Sequence, residues 1–217
     1  MLLLRRISIP LVAAAFATAT TTSVSHAQFT SAANSTHHWL AIGLGGGEII
    51  PTGNATQSYN SSFQGEAIVI INLGILPELR FSFGYQRFDF KQQVLNSLGY
   101  SNANGGYNAI LNGVAGTRID LIRGPVRPYI TLGVGAFNIK TVIDSTHSGG
   151  GYSNASSLAT TTKFGIDGGA GLAIHFGRFE AFGEGRVQNV FTNSGFITSA
   201  KQIQAVPVTF GFTYAII

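Results

Sequence analysis

The chain has no cysteine among its 217 residues. Without a thiol there is no disulfide framework and no N-terminal cysteine to carry a lipid anchor. Charge is scarce as well: Asp, Glu, Lys and Arg make up 10% of the chain, against ~25% in an ordinary water-soluble domain. The formal net charge of +4 falls to +2 once Arg5 and Arg6 are set aside, and the remaining basic residues form no cluster. A nucleic-acid partner would call for a basic face, so that class is excluded. After residue 27 no apolar run reaches the ~20 residues of a membrane-spanning helix.

What is there begins with a leader. Arg5 and Arg6 precede an acid-free apolar stretch, Ile7 to Ala19, and Ser25-His26-Ala27 fits a small-x-small cleavage site. Met1–Ala27 therefore reads as a secretory signal peptide. Cleavage would leave residues 28–217, starting at Gln28, as a single domain.

The mature chain is dominated by period-two alternation, which sends successive side chains to opposite faces of a strand. In the last segment Val206, Val208, Phe210, Phe212, Tyr214 and Ile216 form a large apolar row, and Pro207, Thr209, Gly211, Thr213 and Ala215 a small or polar one. In the third strand Leu79, Phe81, Phe83 and Tyr85 oppose Arg80, Ser82, Gly84 and Gln86. An aromatic face backed by small and polar residues suits lipid outside and a polar lumen inside. Phe81, Phe83, Tyr85, Phe210, Phe212 and Tyr214 are accordingly expected to face lipid.

Eight strands follow from this pattern: roughly 38–46, 65–73, one centred on Leu79–Gln86, 107–121, 129–140, 162–176, 179–190 and 206–216. Tight turns follow the second, fourth and sixth, around Gly74–Pro77, Arg123–Arg127 and Gly177-Arg178. Gly at the first position of that last pair suits a type II′ hairpin. Long Asn/Ser/Thr/Gly loops follow the others, at 47–64, 91–105, 141–160 and, shorter, 192–201. Short turns at one end and long loops at the other are the asymmetry of bacterial outer-membrane barrels. A soluble up-and-down barrel would instead place apolar residues inside. The expected fold is all-β, an eight-stranded antiparallel up-and-down transmembrane β-barrel.

Arg127–Gly135, Lys163–Gly171, Phe182-Gly183-Glu184-Gly185-Arg186 and the closing alternation resemble the OmpA-type outer membrane β-barrel domain proteins. That resemblance implies an outer-membrane location in a Gram-negative-type envelope, insertion by the barrel assembly machinery, and surroundings of outer-membrane lipid and lipopolysaccharide. A monomer is expected. One departure is the ending, Ala215-Ile216-Ile217, where such proteins carry an aromatic residue.

Candidate site residues are those on the inward rows. Arg80, Arg118, Asp120, Asp167, Glu180, Glu184 and Arg186 are expected in a lumen ion-pair network, because buried charges are tolerable only when paired. If Gly177-Arg178 is the hairpin, His175 faces Glu180. A small barrel has an interior just wide enough for side chains to fill, so a structural plug is the leading expectation and a small-ligand or hydrophobic-solute barrel the alternative. A lipid A-modifying enzyme is the third reading. Its candidates are His147 with Asp144, Ser145 and Ser148, which would need to lie within hydrogen-bond reach. His37 and His38 precede the first strand, and five scattered histidines do not make a metal site. No catalytic residue, cofactor or metal is expected. The glycine runs at 43–47, 133–135 and 168–171 lack the lysine-serine pair and helix of a phosphate loop. The Asn-x-Ser/Thr sites at Asn34, Asn54, Asn60 and Asn154 belong to the loop composition.

Overall fold

The computed structural model describes residues 39–74, 77–97, 105–122, 124–144, 147–148, 151–152, 156–192 and 202–216. Residues 1–38, with Asn34, His37 and His38 among them, and Ser145 and Asn154 lie outside them. The described strands are β1 (Leu40–Thr52), β2 (Ser62–Ile71), β3 (Glu78–Asp89), β4 (Gly106–Asp120), β5 (Val126–Ile143), the two-residue β6 (His147–Ser148) and β7 (Gly151–Tyr152), β8 (Ser156–Phe176), β9 (Phe179–Phe191) and β10 (Gln202–Ala215). β6 and β7 pair only with each other; the other eight close into a barrel in which each strand is antiparallel to its neighbours and β10 returns to β1. The closing seam is in continuous register from Ala41 opposite Ala215 to Thr52 opposite Gln204. Among the described residues no helix is long and apolar enough to cross a membrane.

The links β2–β3, β4–β5 and β8–β9 gather at one end of the barrel, with Leu40 and Ala215, and the remaining links at the other. We call these the turn end and the loop end. At the turn end Gly177 takes a φ of 64° while Arg178 does not take a positive one, as a type II′ hairpin requires. His175 then pairs with Glu180 across β8 and β9.

The strands run further toward the loop end than their alternation suggested. β1 continues to Thr52 rather than ending at Gly46, and β5 and β8 reach Ile143 and back to Ser156. The expected first loop, 47–64, contains the end of β1, a 3-10 helix (Gly53–Gln57) and the start of β2. The expected second loop contains helix α1 (Gln92–Ser97). Composition concealed these elements, because the inward residues Ile49 and Ala55 stand among Gly47, Pro51, Gly53, Asn54 and Thr56.

Facing follows the alternation throughout, including β9, where Phe182, Glu184, Arg186 and Gln188 are buried and the small row Ala181, Gly183, Gly185 points out. What changes along the axis is polarity. In β3, Phe83 is 61% exposed on the outer wall and Phe88 is 1% exposed in the lumen.

Candidate functional site

The enclosed charges of the described barrel point into the lumen and fall into layers. Nearest the turn end, Arg118 of β4 grips Glu180 of β9 with both terminal nitrogens, Nη1 to Oε1 at 2.6 Å and Nη2 to Oε2 at 2.9 Å. Its Nε donates to Asp120 at 2.9 Å, and its guanidinium lies 4.1 Å over the Tyr129 ring. His175 Nε2 approaches Glu180 Oε2 at 2.9 Å, and Arg127 reaches Asp120 at 3.4 Å.

The next layer is a ring of five charges from four strands. Arg80 of β3 reaches Glu184 of β9 at 2.5 Å and Glu66 of β2 at 3.2 Å. Arg186 of β9 reaches the other Glu66 oxygen at 2.7 Å and Asp167 of β8 at 3.3 Å, with its Nε 3.1 Å from Glu184 Oε1. All five side chains are almost wholly enclosed. Tyr129 occupies the space that the absent side chain of Gly171 leaves beneath its ring. Bidentate and charge-assisted contacts of this kind are the stronger hydrogen bonds of proteins.

Above the ring the lumen becomes neutral. Gln86 and Gln188 exchange both amide hydrogen bonds, at 2.9 and 3.1 Å, and Gln64 donates to Thr209 at 2.5 Å. Beyond them it is apolar: Ile49, Phe88, Phe90, Ile110, Phe137, Ile139, Val190 and Ile203 form one cluster with Ala55 of the 3-10 helix, Leu95 of α1 and Tyr59 between them. Tyr59 stacks on Phe90 with ring centroids 5.3 Å apart and accepts a hydrogen bond from Asn108 at 2.8 Å. Burial pushes its phenol up to about 12. The inward rows predict a polar lumen, and the loop-end half differs from this in enclosing an apolar cluster.

The seven inward charges named from the sequence thus divide into two groups, Arg118, Asp120 and Glu180 near the turns and Arg80, Asp167, Glu184 and Arg186 in the middle. Sequence reasoning missed Glu66, which joins Arg80 to Arg186. The run Ala67-Ile68-Val69-Ile70-Ile71 is apolar on both faces of β2, so the facing of Glu66 has no local signature. It also missed the apolar layer, although Phe88-Asp89-Phe90 and Phe137-Asn138-Ile139-Lys140 alternate in the phase that puts the ring inside.

Two cavities in the charged half are about 10 Å³ each, space for about one water. One is lined by Arg80, Thr131, Asp167 and Arg186, and the Thr131 hydroxyl has no protein partner there. A wider groove of about 420 Å³ lies on the outer wall between Leu44, Phe210 and Phe212. Among the described residues no group of His, Asp or Glu is arranged to hold a metal ion. The side chains of His147 and Ser148 lie outside the described residues.

No family model matches the chain. No curated protein matches it either. Solved structures do. Neisserial surface protein A is 15% identical with a TM-score of 0.50, over 82% of this chain and 97% of that one. A major outer membrane protein from Thermus thermophilus is 13% identical with a TM-score of 0.56, over 82% and 99%. Ail, the attachment invasion locus protein of Yersinia pestis, solved with the heparin analogue sucrose octasulfate, is 16% identical with a TM-score of 0.50, over 81% and 96%. The fold is that of these small outer-membrane barrels.

Proposed function

We propose that this protein is an integral outer-membrane barrel with a structural, envelope-stabilising or surface-interaction role and a lumen closed to solutes. In this reading the leader 1–27 is removed, residues 28–217 are inserted by the barrel assembly machinery, the turns lie in the periplasm and the loops face outward. The barrel acts as a monomer without catalytic chemistry, surrounded by outer-membrane lipid and lipopolysaccharide.

The observation that carries this is the pairing of the two walls. Where the outer wall shows Phe81, Phe83, Leu132, Val134, Phe210 and Phe212, the lumen wall shows Arg80, Ser82, Thr131, Asp167 and Glu184. Burying ion pairs inside while exposing aromatics outside is sensible only when the outer solvent is lipid. A crossing strand needs ~9–11 residues, and β5 has 18 and β8 has 21. The surplus stands above the bilayer. The charged ring, the paired glutamines and the apolar cluster then lie in series along the lumen, which favours closure over conduction.

Heat-modifiable gel mobility in an outer-membrane fraction tests the location, with the mature chain expected to start at Gln28. Recovery as a detergent-independent soluble periplasmic monomer overturns it. Planar-bilayer recording tests the lumen: no stable conductance is expected, and a reproducible channel would favour the alternative, a small-ligand or hydrophobic-solute barrel. The outer-wall groove gives that alternative its one foothold. Lipid A mass spectra are expected to be unchanged by expression, and a modified lipid A would establish the enzyme reading.

A further inference from the structure

We propose that the outer wall of the barrel carries a binding site for a lipid-borne phosphate group, formed by Arg87 and Lys140 on either side of Ala109; this rests on the membrane reading above. Outward residues of β3, β4, β5 and β8 can be followed level by level through the strand register. Phe83, Gly113, Ala136 and Phe164 make an apolar row. One level nearer the loop end the row is Tyr85, Leu111, Asn138 and Thr162, with Asn138 donating to Thr162 at 3.0 Å. The next is Arg87, Ala109, Lys140 and Thr160. The wall therefore passes from hydrocarbon-compatible to polar to cationic within three levels, the sequence of acyl chain, ester region and phosphate in a lipid.

Arg87 and Lys140 lie two strand spacings apart, about 10 Å between backbones. Both side chains are long enough to close on one phosphate above the small Ala109. Arg87 is held in place. Its Nε forms an ion pair with Asp89 at 2.7 Å and its guanidinium lies 4.0 Å over the Tyr107 ring, and its two terminal nitrogens have no partner among the described residues. Asp89 in turn accepts a hydrogen bond from Ser62 at 3.2 Å. Lys140 is exposed and forms no ion pair among the described residues. A planar guanidinium suits phosphate bidentately, and the ammonium adds a point charge.

The placement is one-sided. Beyond β3 the outward positions paired with one another through β2, β1, β10 and β9 are Phe63, Glu48, Val208 and Gly185, with no cation among them. A non-specific cationic collar would surround the barrel. This row belongs to a single face, next to exposed Phe83 and Phe164 on which acyl chains would lie.

The test uses the full-length mature barrel folded in detergent micelles, with bisphosphorylated lipid A and its dephosphorylated counterpart of the same acyl composition as probes. The parent is expected to retain the bisphosphorylated lipid roughly thirtyfold more tightly, an advantage that shrinks with salt. The double variant Arg87→Gln/Lys140→Gln loses that advantage, as does Ala109→Glu, which sets a carboxylate where the phosphate would sit. Arg178→Gln, at the turn end, keeps it. Inorganic phosphate at equal concentration is not expected to compete well, because it lacks the acyl contacts; full displacement by it would mean a free-anion site and overturn the lipid assignment. Equal retention of the two lipids by the parent overturns the site, as does a double variant that still discriminates. Heat-modifiable mobility of each protein is read alongside: its absence in the parent overturns the membrane reading itself, a result distinct from a folded barrel that ignores phosphate.

Discussion

The two halves of this barrel enclose different side chains on one set of strands. Toward the turn end the outer wall is aromatic and aliphatic and the lumen holds Arg118, Glu180, Arg80, Glu66, Glu184, Arg186 and Asp167. Toward the loop end the outer wall carries Arg87, Asn138 and Lys140 and the lumen holds Phe88, Phe137 and Ile139. The alternation never slips within β3 or β4; only the identity of the residues on each face changes. A shift of register would have flipped every side chain, so the inversion is written into composition rather than geometry. The loop-end half encloses the larger apolar cluster, and the turn-end half encloses the ion pairs beside a smaller one of Ile68, Ile70, Tyr129, Ala173 and Phe182.

The sharpest way to break this comparison is to neutralise one member of the charged ring without changing its shape. Glu184→Gln leaves Arg80 and Arg186 facing a neutral amide in an enclosed space, and the expected loss of unfolding free energy is ~3–5 kcal/mol in a urea titration of the folded barrel. A variant as stable as the parent would mean that water already screens the ring. Next in size is the outer wall of the same half. Phe83→Arg should cost ~2–4 kcal/mol in bilayers if this level is mid-membrane, whereas Ser82→Arg, in the lumen, is limited by packing and charge balance instead. A spin label that reports water at position 83 and lipid at position 82 would reverse the facing.

The loop-end half responds to different changes. Burial holds the Tyr59 phenol protonated to about 12, above its ordinary 10, so its contribution to stability is complete below pH 10 and is lost as pH rises from 10 toward 12. The sign follows because the unfolded chain gives up that proton first. Alkaline unfolding of Tyr59→Phe should therefore be shallower over this window than that of the parent, by up to about 2–3 kcal/mol at its upper edge. An identical slope would place the ring in water. Smallest is a volume-preserving change in the apolar cluster. Ile110→Leu should cost no more than ~1.5 kcal/mol, because an apolar core tolerates hydrophobic exchange when volume is kept. A loss as large as that of Glu184→Gln would erase the distinction between the halves.

Much of the architecture is local and so was legible in the residues. Strand count, facing and the hairpin at Gly177-Arg178 depend on the two-residue period and on one glycine with positive φ, properties of a few consecutive positions. The ends of the strands were not legible. Glu48 to Thr52 reads as loop composition, yet these residues pair with Val208 to Gln204 across the seam, and a partner strand decides pairing at such positions. Likewise Gln92–Ser97 is polar apart from Val94 and Leu95, and its one buried side chain, Leu95, is held by a cluster drawn from several strands.

The sequence by itself determined that the chain alternates, which residues share a face and that charges of both signs lie on the inward rows. It did not determine which charges meet. Glu66 and Arg186 are 120 positions apart and touch because closure and stagger bring β2 and β9 across the same narrow lumen. Nor did it place Arg87 and Lys140 on either side of Ala109, since their strands each pair with β4 and not with each other. Facing is set by the period of a single strand, whereas contact is set by the register of all eight, and only the closed barrel fixes that.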